Sequence, residues 1–203
     1  MAKSQILGIT GGIGAGKSFV AGIFNHLGIP VYNSDLRAKQ ILAEHSEVKS
    51  ELKSFFGSEV FHENGDVDRA KLASIVFTDA SKLKQLNEII HPRVAQDFEN
   101  WINDHGNSPW IIKEAAILIE SGAYKSCDKI LMISADTEVR ISRVINRDQS
   151  QRKDVEERIA NQMGDQERRG YCDFEILNDG TKALLPQINE VLKGINWRSN
   201  IQD

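Results

Sequence analysis

The segment Gln5-Ile6-Leu7-Gly8-Ile9-Thr10-Gly11-Gly12-Ile13-Gly14-Ala15-Gly16-Lys17-Ser18 decides how the rest of the chain is read. Gln5 to Thr10 is a short run rich in apolar and branched residues, the pattern of a buried strand. The eight residues that follow fit GxxxxGK[ST], the phosphate-binding loop that joins a strand to a helix. Its glycines let the backbone approach an anion closely, and successive N–H groups and the next helix's start aim partial positive charge there. Phe19, Val20, Ile23, Phe24 and Leu27 then fall on one helical face, so the strand–loop–helix context is present. The pattern implies nucleotide binding by Gly12, Ile13, Gly14, Ala15, Gly16, Lys17, Ser18 and Phe19, with ATP-type phosphates as the ligand. Lys17 would reach the β and γ phosphates, and the Ser18 hydroxyl is a hard oxygen ligand for Mg²⁺.

Outward from the loop, short buried-type strands are predicted at 29–33, 110–113, 129–134 and 174–178. Helical patterns separate them, the last carrying Leu184, Leu185, Ile188, Val191 and Leu192 on one face. Alternation of this kind means crossovers and a parallel sheet. The expected fold class is therefore α/β, a three-layer P-loop NTPase fold with a parallel sheet of about five strands. Residues 36–105 are far too many for one crossover and read as an inserted helical acceptor lobe, with Pro92 in a helix's first turn. Residues 140–170, polar and glutamine-rich, read as a mobile helical lid. The whole, 1–203, is one kinase-like domain whose core is 1–35, 106–139 and 171–203.

Composition narrows the function classes. At 40% hydrophobic and 27% charged, the 203-residue chain matches globular proteins and excludes a disordered or collagen-like one. A net charge of −4 argues against broad nucleic-acid binding, so the expected partner is a small molecule. The chain is expected to be a monomer or weak homo-oligomer. The first residues carry one lysine and an apolar stretch interrupted by Gly8, too brief for a signal sequence or membrane span, which makes the cytoplasm the expected address. Cys127 and Cys172 lie far apart with no CxxC pattern and read as ordinary thiols.

The other candidates sit just past strand ends, where open parallel sheets place ligands. Asp35 after the second strand is either a base that takes the acceptor hydroxyl's proton or an N-cap for a helix starting near Leu36. Glu114 at the third strand's end either helps hold Mg²⁺ or is a strand-end acid bonded to backbone. Glu120 lies deeper in the same segment. Of 11 arginines, seven fall at 140, 143, 147, 152, 158, 168 and 169, against one of 14 lysines in that stretch. Arginine suits bidentate phosphate contact, and Arg140, Arg143 and Arg147 share a helical face. Phosphate contact is expected of Arg143 and Arg147, and solvated ion pairs of Arg152, Arg158 and Arg168. On physics alone His91 fixes the start of a helix before Pro92, and Arg69 is a surface residue.

Taken together, these residues resemble the dephospho-coenzyme A kinases, P-loop enzymes related in fold to nucleoside monophosphate kinases. The resemblance runs from Gly8-Ile9-Thr10-Gly11 through Lys17-Ser18 and Asp35 to Asp68-Arg69 with Leu72 and Val76-Phe77, then Leu86-Asn87, His91-Pro92 and Val94. It continues through Arg143, Arg147-Asp148, Arg158-Ile159 with Gln162, and Asp173, Ile176, Asn178 and Gly180. It implies ATP-dependent phosphorylation of the ribose 3′-hydroxyl of dephospho-coenzyme A, the last step of coenzyme A synthesis, with Mg²⁺. Asp35, Lys17, Arg143 and Arg147 would be catalytic, and Thr10, Asp35, Arg69 and His91 would line the acceptor side. The family's Asp-x-Pro-Leu-Leu-Phe-Glu motif reads Glu114-Ala115-Ala116-Ile117-Leu118-Ile119-Glu120 here, Asn33 replaces an acid, and Arg140 replaces a glutamine. Two rival readings stand beside this one: a kinase of another small acceptor such as a nucleoside monophosphate, and a non-catalytic nucleotide-sensing module. The sensor lacks support from an Asn-Lys-x-Asp guanine-reading motif.

Overall fold

The computed structural model describes residues 3–76, 78–105 and 107–197. Met1, Ala2, Phe77, Gly106 and residues 198–203, which include parts of the ranges assigned above to core and lobe, lie outside the described residues. The chain forms two compact units, one of Met1–Asn33 with His105–Asp203 and one of Ser34–Asp104. In chain order the elements are β1 (Gln5–Thr10), α1 (Lys17–His26), β2 (Val31–Asn33), α2 (Ser34–Glu44), α3 (Ser46–Phe56), α4 (Arg69–Val76) and α5 (Ala80–His105). They continue with β3 (Trp110–Glu114), β4 (Lys129–Ser134), α6 (Thr137–Asp148), α7 (Arg152–Ala160), α8 (Asp165–Arg169), β5 (Phe174–Leu177) and α9 (Leu184–Gly194).

In the first unit all five strands are parallel, in the order β2-β3-β1-β4-β5. The strands are Ile-, Leu- and Val-rich because both faces of a parallel sheet are covered. Leu7 and Ile9 send one face against Val20 and Phe24 of α1 and Ile188 and Val191 of α9. Pleating turns Gly8 and Ile130 to the other face, where Leu118, Ala115, Tyr124, Cys127 and Cys172 gather. Acids just outside the strands satisfy N–H groups at their amino ends. Asp128 Oδ2 accepts from Ile6 N at 2.7 Å, and Asp173 Oδ2 from Ile130 N at 2.8 Å. Since β1 is flanked by β3 on one side and β4 on the other, its carboxyl end is the point where strand order reverses, and such crevices take ligands.

The second unit has its own core, in which Ile41, Val48, Leu52, Phe56, Leu72, Val76, Ile89 and Ile90 meet. Arg37 clamps Asp97 with two N–H donors, and Arg93 reaches Glu51, fastening its helices to one another. Pro92 lies inside the 26-residue α5 rather than in a first turn. Proline there removes the N–H that would bond the Glu88 carbonyl, a cost of about 3 kcal/mol. Burial of Ile89 and Ile90 before it and Phe98 after it carries the helix through. Two further expectations are corrected: α2 starts at Ser34 rather than near Leu36, and Phe19 and Leu185 are 63% and 64% exposed, off the buried faces of their helices.

Burial pushes the thiols of Cys127 and Cys172 each up to about 11, while it holds the Lys113 ammonium below its ordinary value. Both thiols therefore stay protonated in the folded protein well above neutrality, and their stabilising contribution is lost as pH rises from the unfolded thiol range through about 11. Thiol titration at pH 8 should proceed on the order of a hundredfold more slowly in native than in guanidinium-unfolded protein, since only thiolate reacts. Equal rates in the two states would contradict this placement of the cysteines.

Candidate active site

The loop Gly11–Gly16 leaves the carboxyl end of β1 and enters α1 directly. Gly16, the residue before the helix, has φ 92°, and no side chain caps the first turn, which contains no acid. With a glycine at the cap and no acid in the first turn, the turn brings no acceptor of its own to its N–H donors, which suits an anion cradle. Close approach to backbone demands glycine in this loop: a Cβ on Gly11, at φ +151°, would stand 2.2 Å from the Ile133 carbonyl oxygen, and one on Gly14, at φ +79°, 2.5 Å from the Arg140 carbonyl oxygen. One on Gly12 would meet the Arg140 guanidinium at 2.1 Å. Lys17 Nζ turns back to donate to the Gly11 carbonyl at 3.0 Å, so its ammonium lies over the loop.

Glu114 is the second centre. Register sets it opposite Ile9 on one side and Asn33 on the other. Its buried carboxylate accepts from Ser18 Oγ at 2.6 Å and Asn33 Nδ2 at 2.8 Å. The oxygen pair of Ser18 and Glu114 fits a hard cation such as Mg²⁺, which takes one or two protein oxygens and completes its shell with water and phosphate. Among the described residues no group of three or more His, Cys, Asp or Glu side chains is arranged to hold a metal unaided.

The arginines divide by burial. Arg143 Nη1 donates to the Asn178 carbonyl at 2.8 Å and to the Gly14 carbonyl at 3.4 Å, which sets its guanidinium beside the loop. Arg147 instead forks Asp148, Nε to Oδ1 at 2.7 Å and Nη2 to Oδ2 at 2.9 Å, with its side chain largely in solvent. Arg152 pairs with Glu138 and Glu156, and Arg158 with Asp148, as exposed ion pairs. Arg168 departs from the expected solvated face: it is fully buried. Arg140 is buried as well, against the loop. Sequence reasoning assigned no role to Arg140, Asn178 or Gln162, although each touches the loop. Asn178, the residue that follows β5, donates from Nδ2 to the Ala15 carbonyl at 2.8 Å. No short-range pattern announces such contacts, because more than a hundred residues separate the partners.

Thr10 is fully buried and its hydroxyl has no hydrogen-bond partner, so it faces no open space. Phe19 is on the solvent side of α1. Asp35, Arg69 and His91 all belong to the second unit. Asp35 lies within the first turn of α2, two residues after Asn33, where an acid suits the helix dipole, and it is not the cap. Arg69 is exposed at the start of α4, whose first turn is capped by Asp68 Oδ1 accepting from Lys71 N at 2.9 Å. His91 is exposed on α5 beside Pro92.

Comparison with known proteins covers nearly the whole chain. A family model described as dephospho-CoA kinase matches residues 5–183. A dephospho-CoA kinase from Bacteroides fragilis is 40% identical over 186 residues, which cover 92% of this chain and 90% of that protein. Among solved structures, one from Thermus thermophilus superposes with TM-score 0.83 at 30% identity, covering 100% of both chains. A dephospho-CoA kinase from Campylobacter jejuni superposes with TM-score 0.65 at 26% identity, covering 96% of each.

The Asn178 contact yields a stability test. Asn178→Asp places a second acceptor against the Ala15 carbonyl in a buried setting, and should cost about 1–3 kcal/mol in urea unfolding with an unchanged m-value. A variant as stable as wild type would mean that this hydrogen bond does not hold the loop.

Proposed function

Because the chain belongs to the dephospho-CoA kinase family, we propose that it moves the γ-phosphoryl group of ATP to the ribose 3′-hydroxyl of dephospho-CoA, giving CoA and ADP. It is a phosphotransferase, and its product places it at the end of coenzyme A synthesis. The observation that carries the mechanistic reading is the uncapped start of α1 beside the buried Ser18–Glu114 pair.

In this reading the first-turn N–H groups and Lys17 hold the ATP phosphates, and Lys17 leaves the loop carbonyls for phosphate oxygen as ATP arrives. Ser18 Oγ and the Glu114 carboxylate would hold Mg²⁺, which when bound offsets charge on the β and γ phosphates. Asn33 keeps Glu114 directed at Ser18. Asp35 accepts the proton of the 3′-hydroxyl as its oxygen bonds phosphorus and the bond to the ADP oxygen breaks. Arg143 neutralises charge on the transferring group from the loop side. Arg69 and His91 bind the acceptor, and residues 140–170 act as the lid that keeps water, the competing nucleophile, from the phosphoryl group. Arg147 joins this set only by releasing Asp148. Among the described residues no helix is long and apolar enough to cross a membrane. The cytoplasm remains the proposed address.

Asp35→Asn should lower kcat on the order of a hundredfold or more with ATP affinity nearly unchanged, the signature of lost proton handling. Turnover like that of wild type would reduce Asp35 to a helix-terminus residue. Lys17→Ala should weaken ATP binding and slow turnover together. Substrate choice is read from ADP release with dephospho-CoA and with AMP as acceptors. Release with dephospho-CoA alone is expected, and release with another acceptor in its place would overturn the assignment.

A further inference from the structure

The apex of the loop is held from outside by side chains, Gln162 and Arg140, to which no contact with the transferring phosphoryl group has been assigned. Ile13 donates its N–H to Gln162 Oε1 at 2.8 Å and accepts from Arg140 Nε at its carbonyl at 2.9 Å. Its side chain packs with Ile141, Val144 and Val155 of α6 and α7. Every group of this one loop residue is therefore fixed by the segment from α6 to α8. The consequence for an anion follows from peptide planarity: the Ile13 carbonyl and the Gly14 N–H share one rigid plane and point in opposite directions. Pinning the carbonyl to Arg140 sets where the Gly14 donor points.

Arg140 is itself seated. Its Nη1 lies 3.2 Å from Asp165 Oδ2, and Asp165 Oδ1 accepts from Arg168 Nη1 at 2.8 Å. Arg168 Nη2 reaches Glu120 Oε1 at 3.4 Å, and that same oxygen accepts from Met163 N at 3.3 Å. Arg140 and Arg168 are 4% and 0% exposed, so each guanidinium depends on its carboxylate in a low-dielectric setting. One donor of this chain, Arg168 Nε, is buried without a partner. Apolar residues would fill such a space at no such cost, and buried ion chains are best attested where they fix one arrangement over its alternatives.

We propose that Arg140, seated by Asp165, is a positioning residue that presets the loop apex for nucleotide phosphate, within an ionic chain Arg140–Asp165–Arg168–Glu120 that ties the apex to the segment after β3. This rests on the reading of the loop as the ATP site. Preorganised donors bind without first paying to order themselves, so loosening the apex lowers nucleotide affinity and leaves acceptor binding alone.

The test is calorimetry with a non-hydrolysable ATP analogue on wild type, Arg140→Gln, Asp165→Asn and the double variant, together with KM for each substrate. Each single change should weaken analogue binding about tenfold, within the range of couplings between contacting groups. The double variant should be no weaker than the worse single, and KM for dephospho-CoA should stay within about twofold, since binding is lost only on the donor side. Gln162→Leu, which leaves the ionic chain whole, should also weaken analogue binding, and serves if Asp165→Asn does not fold. Analogue affinity unchanged in Arg140→Gln and Gln162→Leu, with only the melting temperature lowered, overturns the proposal, as do losses that simply add in the double variant. Wild type that binds the analogue but releases no ADP with dephospho-CoA would sink the functional assignment instead, while the affinity comparison still decides this one.

Discussion

The start of α1, an N-terminus capped by a glycine and delivered to the carboxyl end of the central strand β1, is the constraint around which the first unit is arranged. A helix start without a capping side chain has donors that must find water or an anion. Here the loop that precedes it is braced by Arg140 and Arg143 of α6, by Gln162 and by Asn178, which fixes the direction of its backbone groups. The Ser18–Glu114–Asn33 contacts extend the same logic from α1 across the two parallel strands β3 and β2. Because β2 and β3 are in register, one carboxylate can accept from a serine in the first turn of α1 and from an edge-strand amide at once.

Charge in this protein is divided between solvent, structure and chemistry. Arg152 and Arg158 lie in exposed pairs, each worth little in water. Arg140 and Arg168 are buried and carry their carboxylates with them, which costs desolvation but gives direction. Arg143 stands between these groups, its Nη1 bonded to the backbone carbonyls of Gly14 in the loop and of Asn178 just after β5, with Asp179 near enough to feel its charge. A guanidinium held by neutral carbonyls keeps its charge available to phosphate, whereas Arg147, forked by Asp148, must first exchange partners.

Much of the first unit was legible from local pattern. Each of the five predicted strands appears within two residues of its expected limits, because buried parallel strands are short apolar runs and little else in a chain looks like them. The loop was legible because its function imposes spacing on glycine, lysine and serine. Errors fell where two local signals compete with tertiary burial. Pro92 argued for a helix start, yet the core of the second unit carries α5 through it. Phe19 and Leu185 matched an apolar stripe, yet the sheet covers only the narrower face. Arg168 sits in a polar, ion-paired stretch, yet α8 folds it inward onto Glu120 and Asp165.

What the amino-acid sequence determined by itself is therefore the parallel α/β core, the phosphate loop and the set of residue types available to the chemistry, since each depends on neighbours a few positions apart. Only the tertiary structure decided that Glu114 meets Ser18 and Asn33, that Asn178 and Gln162 brace the loop, and that Arg140 is buried against Gly12 while Arg147 is turned to solvent. Those are contacts between residues tens to more than a hundred positions apart, and chain spacing carries no information about which of several similar side chains the packing will bring into reach.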